Sequence, residues 1–259
     1  VEFLGYTISG AGKQIAPGRI SSIENLRTPS SKRDVKCLLG MVNFVRSFIP
    51  ACSSVCEPLS RLTAKDSDFV WGKEQDEAFE RLKMLLKTAP TLACPSEDAH
   101  LSLFTDASDV GVGAVLIQTK DSKIQVRAFL SKTLSDVQRR WSVIEKECWA
   151  IVFAMLKLEP LLKGRKFDLF TDHKNLTFIQ RSPNAKISRW WLRVSEFSFD
   201  IRHVKGVENG AADCCSRLVK FSKDPETLMS LRIVPDTDTP SAPLTRIREA
   251  QAKITKETI

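Results

Sequence analysis

Two short runs lying 66 residues apart, Leu103-Phe104-Thr105-Asp106 and Leu169-Phe170-Thr171-Asp172, spell the same four letters. Each is an apolar stretch that ends on an aspartate, the pattern of a buried strand carrying a carboxylate at its C-terminal end. Alternation puts Phe104 and Asp106 on one face and Leu103 and Thr105 on the other, and the second copy repeats this with Phe170 and Asp172. If the two strands are parallel neighbours, both carboxylates meet at one edge of a sheet, where open α/β sheets place their sites. Two acids about 4 Å apart repel by roughly 4 kcal/mol at an effective dielectric near 20. Such a pair needs neutralising, and a hard divalent cation is the obvious candidate.

The 259-residue chain is 42% hydrophobic and 27% charged, as expected of a soluble globular protein with one large or two modest domains. No apolar run approaches the ~18 residues that span a bilayer. The start, Val1-Glu2-Phe3-Leu4-Gly5, has neither Met nor a signal pattern and reads as a piece of a longer polypeptide. Seven cysteines without framework spacing point to a reducing, intracellular compartment. Cys52 and Cys56 have no second pair, which argues against structural zinc. The net charge of +8 favours a polyanionic partner such as nucleic acid.

Along the chain, residues 1–16 read as a hairpin: strand Phe3 to Ile8, a Ser-Gly-Ala-Gly turn, then Gln14-Ile15-Ala16. Residues 17–95 read as mainly helical: a short helix over Arg19–Leu26, one capped at Ser31 and Asp34 with Val35, Leu38, Leu39, Val42, Val45 and Phe48 at helical spacing, a turn at Pro58-Leu59, and one over Glu74–Lys87. Pro95-Ser96-Glu97-Asp98 is a polar junction and the expected domain boundary. Beyond it come an antiparallel trio of strands (Leu101–Ser108, Gly111–Gln118, Val126–Leu130), a helix over Ser142–Lys163 with Pro160 near its end, and a strand Phe167–Asp172. A short helix at Asn175–Gln180, a helix over 186–197, a strand Phe199–His203 and a last helix from Asn209 follow. Residues 221–259 are polar and read as a linker with a nascent helix at Thr245–Thr255.

Four acids stand out on this frame: Asp106, Glu147, Asp172 and Asp213. Glu145 and Glu147 lie about 200° apart around a helix, so only one can face the sheet. Glu145, three residues after Ser142, is explained by a capping box. Glu147 shares its face with Ala150, Ile151 and Ala154, which suits close packing on a sheet. Asp213, taken alone, reads as a surface acid of a helix capped by Asn209. An acid order of strand, helix, strand, helix suits two-metal phosphoryl chemistry on Mg²⁺, or Mn²⁺. His203 ends a strand; a lone histidine is usually structural, but this place also suits proton transfer or metal turnover. Arg189-Trp190-Trp191 with Arg193 reads equally as core aromatics with solvated arginines or as a nucleic-acid face.

These residues resemble a stretch of the Pol polyprotein of gypsy-class LTR retrotransposons. The resemblance covers about residues 1–220 and rests on Phe104-Thr105-Asp106-Ala107-Ser108 with Gly111 to Leu116, on Glu145-Lys146-Glu147, on Thr171-Asp172-His173, on Arg189-Trp190, and on His203 to Gly206 with Asn209, Asp213 and Ser216-Arg217. It implies an α/β fold, a ribonuclease-H-like mixed five-stranded sheet flanked by helices, preceded by a mainly helical thumb/connection-like segment. It divides the chain into the end of a reverse-transcriptase palm (1–16), a thumb/connection-like segment (17–95), a ribonuclease H domain (98–220) and a linker toward integrase (221–259). It implies that Asp106, Glu147, Asp172 and Asp213 bind two Mg²⁺ and, with His203, cut the RNA strand of an RNA–DNA hybrid. Ser108, His173, Asn209, Arg189 and Trp190 are the implied substrate contacts. Partners by the resemblance are the hybrid, the palm and fingers of the reverse transcriptase, and integrase, in a cytoplasmic particle. No Tyr-x-Asp-Asp and no Asp-Asp pair occurs, so the chain lacks the polymerase's own metal site. Lys205 stands where the family usually has Pro, and Cys215 where it has an apolar residue; neither change removes a ligand. The alternative expectation is a catalytically inactive nucleic-acid-binding remnant, against which the four acids speak.

Overall fold

The computed structural model describes residues 1–204 except 66, 175 and 177–183. The expected helix from Asn209, the linker, and most of the helix at Asn175–Gln180 lie outside the described residues. The chain opens with a three-stranded antiparallel meander, β1 (Glu2–Phe3), β2 (Tyr6–Ser9) and β3 (Gly12–Ile15). Phe3 to Ile8 was expected as one strand, but the backbone turns back at Leu4 and Gly5, with φ of 48° and 77°. Positive φ at two adjacent central residues is the twist-matched hairpin turn. At Gly5 a Cβ would also meet the Arg19 guanidinium at 2.6 Å.

The helical segment follows: α1 (Pro17–Glu24), α2 (Lys32–Val45), α3 (Cys52–Val55), α4 (Glu57–Arg61) and α5 (Lys73–Lys87). The first of these starts two residues earlier than expected because Pro17 supplies the pre-set φ of a first helical turn. α2 begins where its cap predicts, with Ser31 Oγ accepting from the Asp34 N–H and the Asp34 carboxylate accepting from Ser30. Its buried stripe Val35, Leu38, Val42 and Val45 meets Phe79, Leu82 and Leu86 of α5 in one core. A 3₁₀ turn, Arg46–Phe48, prolongs α2 toward Pro50.

The second half is a five-stranded mixed sheet built from β4 (His100–Ala107), β5 (Gly111–Lys120), β6 (Lys123–Thr133), β7 (Lys166–Thr171) and β8 (Ser198–His203), in the spatial order β6-β5-β4-β7-β8. The first three pair antiparallel, while β7 runs parallel to both β4 and β8. Asp121 and Ser122, at φ of 49° and 61°, form the same two-residue turn between β5 and β6. Between β6 and β7 lie α6 (Asp136–Arg139), α7 (Val143–Lys157) and α8 (Glu159–Leu162). The expected helix over Ser142–Lys163 is therefore two helices: Pro160 lacks an N–H and its ring collides with the preceding turn, so the chain restarts at Leu158. α9 (Ala185–Val194) precedes β8. α7 lies on one sheet face, where Cys148, Ile151, Val152 and Met155 pack with Leu101, Leu103, Leu116, Phe167 and Leu169.

The two halves are joined along β6, the sheet's edge. Ala93 N donates to Val126 O at 2.8 Å, Arg46 Nη2 to Ser131 O at 2.8 Å, and Ser53 N to Ser131 Oγ at 2.9 Å. These donors occupy carbonyl and hydroxyl groups of an edge that would otherwise invite another strand. Val126 and Phe129 extend from β6 into the helical core. Among the described residues no helix is long and apolar enough to cross a membrane.

Candidate metal centre

β4 and β7 are adjacent and in register, Leu103 opposite Leu169 and Phe104 opposite Phe170, so the two aspartates come to the same edge two residues later. Thr105 Oγ1 donates to Phe170 O at 3.3 Å and laces the strands together just before that edge. Asp106 is fully buried, and Asp172, the first residue beyond β7, is half-buried. Glu147, on the second turn of α7, is buried, and one oxygen each from Asp106, Glu147 and Asp172 lie within 4.8 Å of one another. Glu147 reaches this position because the small Ala150 and Ala154, both fully buried, let α7 approach the sheet. Ala107 N donates to Glu147 Oε1 at 3.2 Å, so the backbone at the end of β4 aims the helix carboxylate. The sheet edge and one helix thus bring together three of the four acids singled out in the sequence. Asp213 and Asn209 lie outside the described residues.

The neighbouring glutamate does something else. Glu145 Oε2 accepts from Ser142 N at 3.0 Å, and Oε1 lies 3.2 Å from Lys186 Nζ on α9. The Ser142 N–H, with the Lys186 ammonium, holds the Glu145 carboxyl below its ordinary range although burial opposes this. Cys148, beside Glu147, is pushed by burial up to about 12 and stays a neutral thiol.

His203 is exposed and its Nε2 lies 3.1 Å from the backbone oxygen of Asp172. A carbonyl oxygen only accepts, so Nε2 carries the proton there. Val204 N donates to Thr171 O at 3.0 Å and holds the end of β8 beside the acids. His173, directly after Asp172, is half-buried, and its buried Nδ1 has no hydrogen-bond partner among the described residues. Ser108 closes the β4–β5 turn, where its Oγ accepts from Gly111 N at 3.1 Å and donates to Gly111 O at 3.0 Å. Trp190 packs among Trp141 and Trp149, ring centroids 5.1 and 5.4 Å away, while Arg189 is exposed on the same helix. Lys186 Nζ sits 3.5 Å over the Trp141 ring, and the three indoles are half-buried.

Sequence reasoning passed over Lys146 and Asp109. Lys146 is buried, and its Nζ lies 2.7 Å from Asp109 Oδ1 in the β4–β5 turn. The available signal was a lysine between two glutamates on an otherwise apolar helix.

Among the described residues the donors gathered here are three carboxylates, a set that fits a hard divalent cation. Comparison with known proteins agrees with the fold. Residues 71–169 match the family model of the RNase H-like domain found in reverse transcriptase. The retrovirus-related Pol polyprotein from transposon 297 of Drosophila melanogaster is 35% identical over 219 residues, which is 83% of this chain and 20% of that protein. The transposon Tf2-3 polyprotein of Schizosaccharomyces pombe is 34% identical over 226 residues, 85% of this chain and 17% of that one. The chain thus spans about a fifth of the length of the curated relatives it matches. Among solved structures, the foamy viral protease-reverse transcriptase in complex with RNA/DNA hybrid superposes with a TM-score of 0.68 at 18% identity, over 94% of this chain and 32% of that one. Its complex with dsDNA gives 0.68 at 21% identity, over 80% of this chain and 45% of that one. With sequence and fold in agreement, the chain belongs to the Pol polyproteins of gypsy-class transposons, across their reverse-transcriptase RNase H-like domain.

Proposed function

We propose that this chain is a Mg²⁺-dependent ribonuclease H that cuts the RNA strand of RNA–DNA hybrids. The observation that carries it is the convergence of Asp106, Glu147 and Asp172, from two strands and a helix, within 4.8 Å. Three like charges gathered at a largely buried edge are costly unless a cation shares them. A pair of Mg²⁺ or Mn²⁺ ions held by these carboxylates would supply activation of a water and charge stabilisation at a phosphodiester. Asp106, Glu147 and Asp172 are the proposed ligands, with Asp213 as a fourth on the strength of the motif alone.

The protein's own part is to hold these groups in place. The Ala107 N–H orients Glu147, Thr105 ties the two aspartate-bearing strands, and His203 is anchored through Nε2 at the rim. In this proposal His203 moves a proton at the leaving oxygen, and Ser108, His173, Asn209, Arg189 and Trp190 contribute hybrid contacts. The net charge of +8 suits a polyanionic substrate. By the same proposal residues 1–16 end a palm, 17–95 form a thumb/connection-like unit, 98–220 the nuclease, and 221–259 lead toward integrase, within a larger intracellular assembly.

The test is a labelled RNA–DNA duplex incubated with the purified chain. Cleavage of the RNA strand with Mg²⁺, none in EDTA, and none of double-stranded RNA is the expected result. Hybrid binding without cleavage under all metal conditions overturns the nuclease in favour of a binding remnant.

A further inference from the structure

Lys146 presents a problem in burial. Its side chain is only 7% exposed, yet it ends in an ammonium beside Glu147, and its partner Asp109 has a side chain 93% exposed. A lysine on a sheet-facing helix normally extends its head to water. Here the head turns to a single carboxylate on the β4–β5 turn, at 2.7 Å, and that ion pair holds the Asp109 carboxyl below its ordinary range. The turn itself is stiff: Ser108 N donates to Gly111 O at 2.8 Å, Ser108 Oγ bonds both the N–H and the carbonyl of Gly111, and Leu134 N donates to Val110 O at 2.9 Å. A pull on Asp109 is therefore passed to the end of β4.

Two consecutive residues of α7 thus meet the end of β4 and the turn after it, at Ala107 and Asp109. Glu147 accepts from Ala107 N at 3.2 Å, and Lys146 holds Asp109 at 2.7 Å. We infer that Lys146 is a positioning residue whose ion pair with Asp109 clamps the β4–β5 turn to α7 and so fixes the separation of Asp106 from Glu147. This inference rests on the metal-dependent nuclease proposed above only for what that separation serves.

The two ways in which Lys146 could influence a cation have opposite signs. As a bare positive charge near three carboxylates it weakens cation binding, so its removal would tighten it. As a clamp it preorganises the ligands, so its removal loosens them. The experiment compares the full chain with Lys146→Met, Lys146→Arg, Asp109→Asn and the Lys146→Met/Asp109→Asn double variant. Mn²⁺ affinity is measured by electron paramagnetic resonance without nucleic acid, hybrid affinity in EDTA, and kcat on a labelled hybrid with Mg²⁺; thermal midpoints check folding.

Lys146→Met and Asp109→Asn should each weaken Mn²⁺ about tenfold, the scale seen when partners that orient metal ligands are lost. kcat should fall with them, and hybrid affinity in EDTA should stay unchanged. The double variant should lose no more than the worse single one, and Lys146→Arg should retain most of the affinity. Should Lys146→Met fail to fold, Asp109→Asn, an exposed turn residue, decides alone. Unchanged or tighter Mn²⁺ binding in the single variants overturns the inference. So does a loss of hybrid affinity in Lys146→Met with a gain in Asp109→Asn, which would make Lys146 a phosphate contact. A parent chain that binds Mn²⁺ and cuts hybrid while its variants match it sinks the clamp alone; a parent that does neither sinks the nuclease as well.

Discussion

Phe104 and Phe170 stack face to face, with ring centroids 4.4 Å apart and planes 8° from parallel. Each ring stands two residues before an aspartate of the acidic group and on the same sheet face, so the pair forms an apolar floor under Asp106 and Asp172. Val115 and Ile117 complete the cluster around them. Truncating Phe170 to Ala should cost about 3–5 kcal/mol, the range for a buried phenylalanine. Urea denaturation in EDTA measures that loss, and Mn²⁺ affinity should fall with it because the strands lose their spacer. A stability loss without any change in metal affinity would separate the floor from the site.

Asp106→Asn should abolish hybrid cleavage and leave hybrid binding intact. It should also remove most of the rise in thermal midpoint that Mg²⁺ gives the parent chain, since a ligand at 100 times its dissociation constant stabilises by about 2.7 kcal/mol. In EDTA the variant should be the more stable of the two, because one of three crowded negative charges is gone. Paired melts with Mg²⁺ and with EDTA test both statements.

Glu145 and Glu147 should part company. Glu145→Ala removes a cap and an ion pair and should cost about 1 kcal/mol of stability with cleavage retained. Glu147→Gln should abolish cleavage at little cost in stability. Cleavage lost in the first variant and kept in the second would assign the ligand to the wrong helix face.

Acid should erase the Glu145 contribution. Its folded carboxyl is held below the ordinary value of 4.5, first by the Ser142 N–H and also by Lys186. The contribution is present in full above that ordinary value and is lost as the pH falls through the lower folded one. The stability difference between the parent and Glu145→Gln should therefore hold constant through neutral pH and shrink only on acidification below about 4.5. Chemical denaturation from pH 7 to pH 3 checks this.

Arg46 is the hinge pin of the seam between the helical segment and the sheet. Its Nη2 donates to Ser131 O at 2.8 Å and Ser53 Oγ at 3.0 Å, and its Nη1 to Asn43 Oδ1 at 3.0 Å. Arg46→Ala leaves the carbonyl of the buried Ser131 without its charged donor and should cost about 1–3 kcal/mol. Amide exchange along β6 should quicken in the variant while β4 and β7 stay protected.

Signals confined to a few residues were the readable ones. Ser31 with Asp34 and Ser142 with Glu145 mark helix starts because a cap is a contact over three residues, and both occur as expected. The choice of Glu147 to face the sheet followed from helical phase, and the structure sets Glu145 to capping instead. Breaks in backbone direction were harder: Leu4-Gly5 lies inside a β-rich run, and only positive φ at both residues reveals the turn. Lys146 was opaque because its partner sits 37 residues earlier, in a turn that no periodicity links to α7. Trp190 was ambiguous for the same reason, since its neighbours Trp141 and Trp149 come from the region of another helix.

The linear chain alone determined that two apolar, strand-like runs lead into aspartates, that only one of the two glutamates of α7 can face the sheet, and that the candidate metal ligands are all carboxylates. Only the tertiary structure decided that β4 and β7, far apart in the chain, are parallel neighbours in register and that α7 lies close enough for Glu147 to join them within 4.8 Å. Side-chain periodicity is local and fixes which face a residue takes. Strand order is set by which elements bury one another, a property of the whole core that no short window contains.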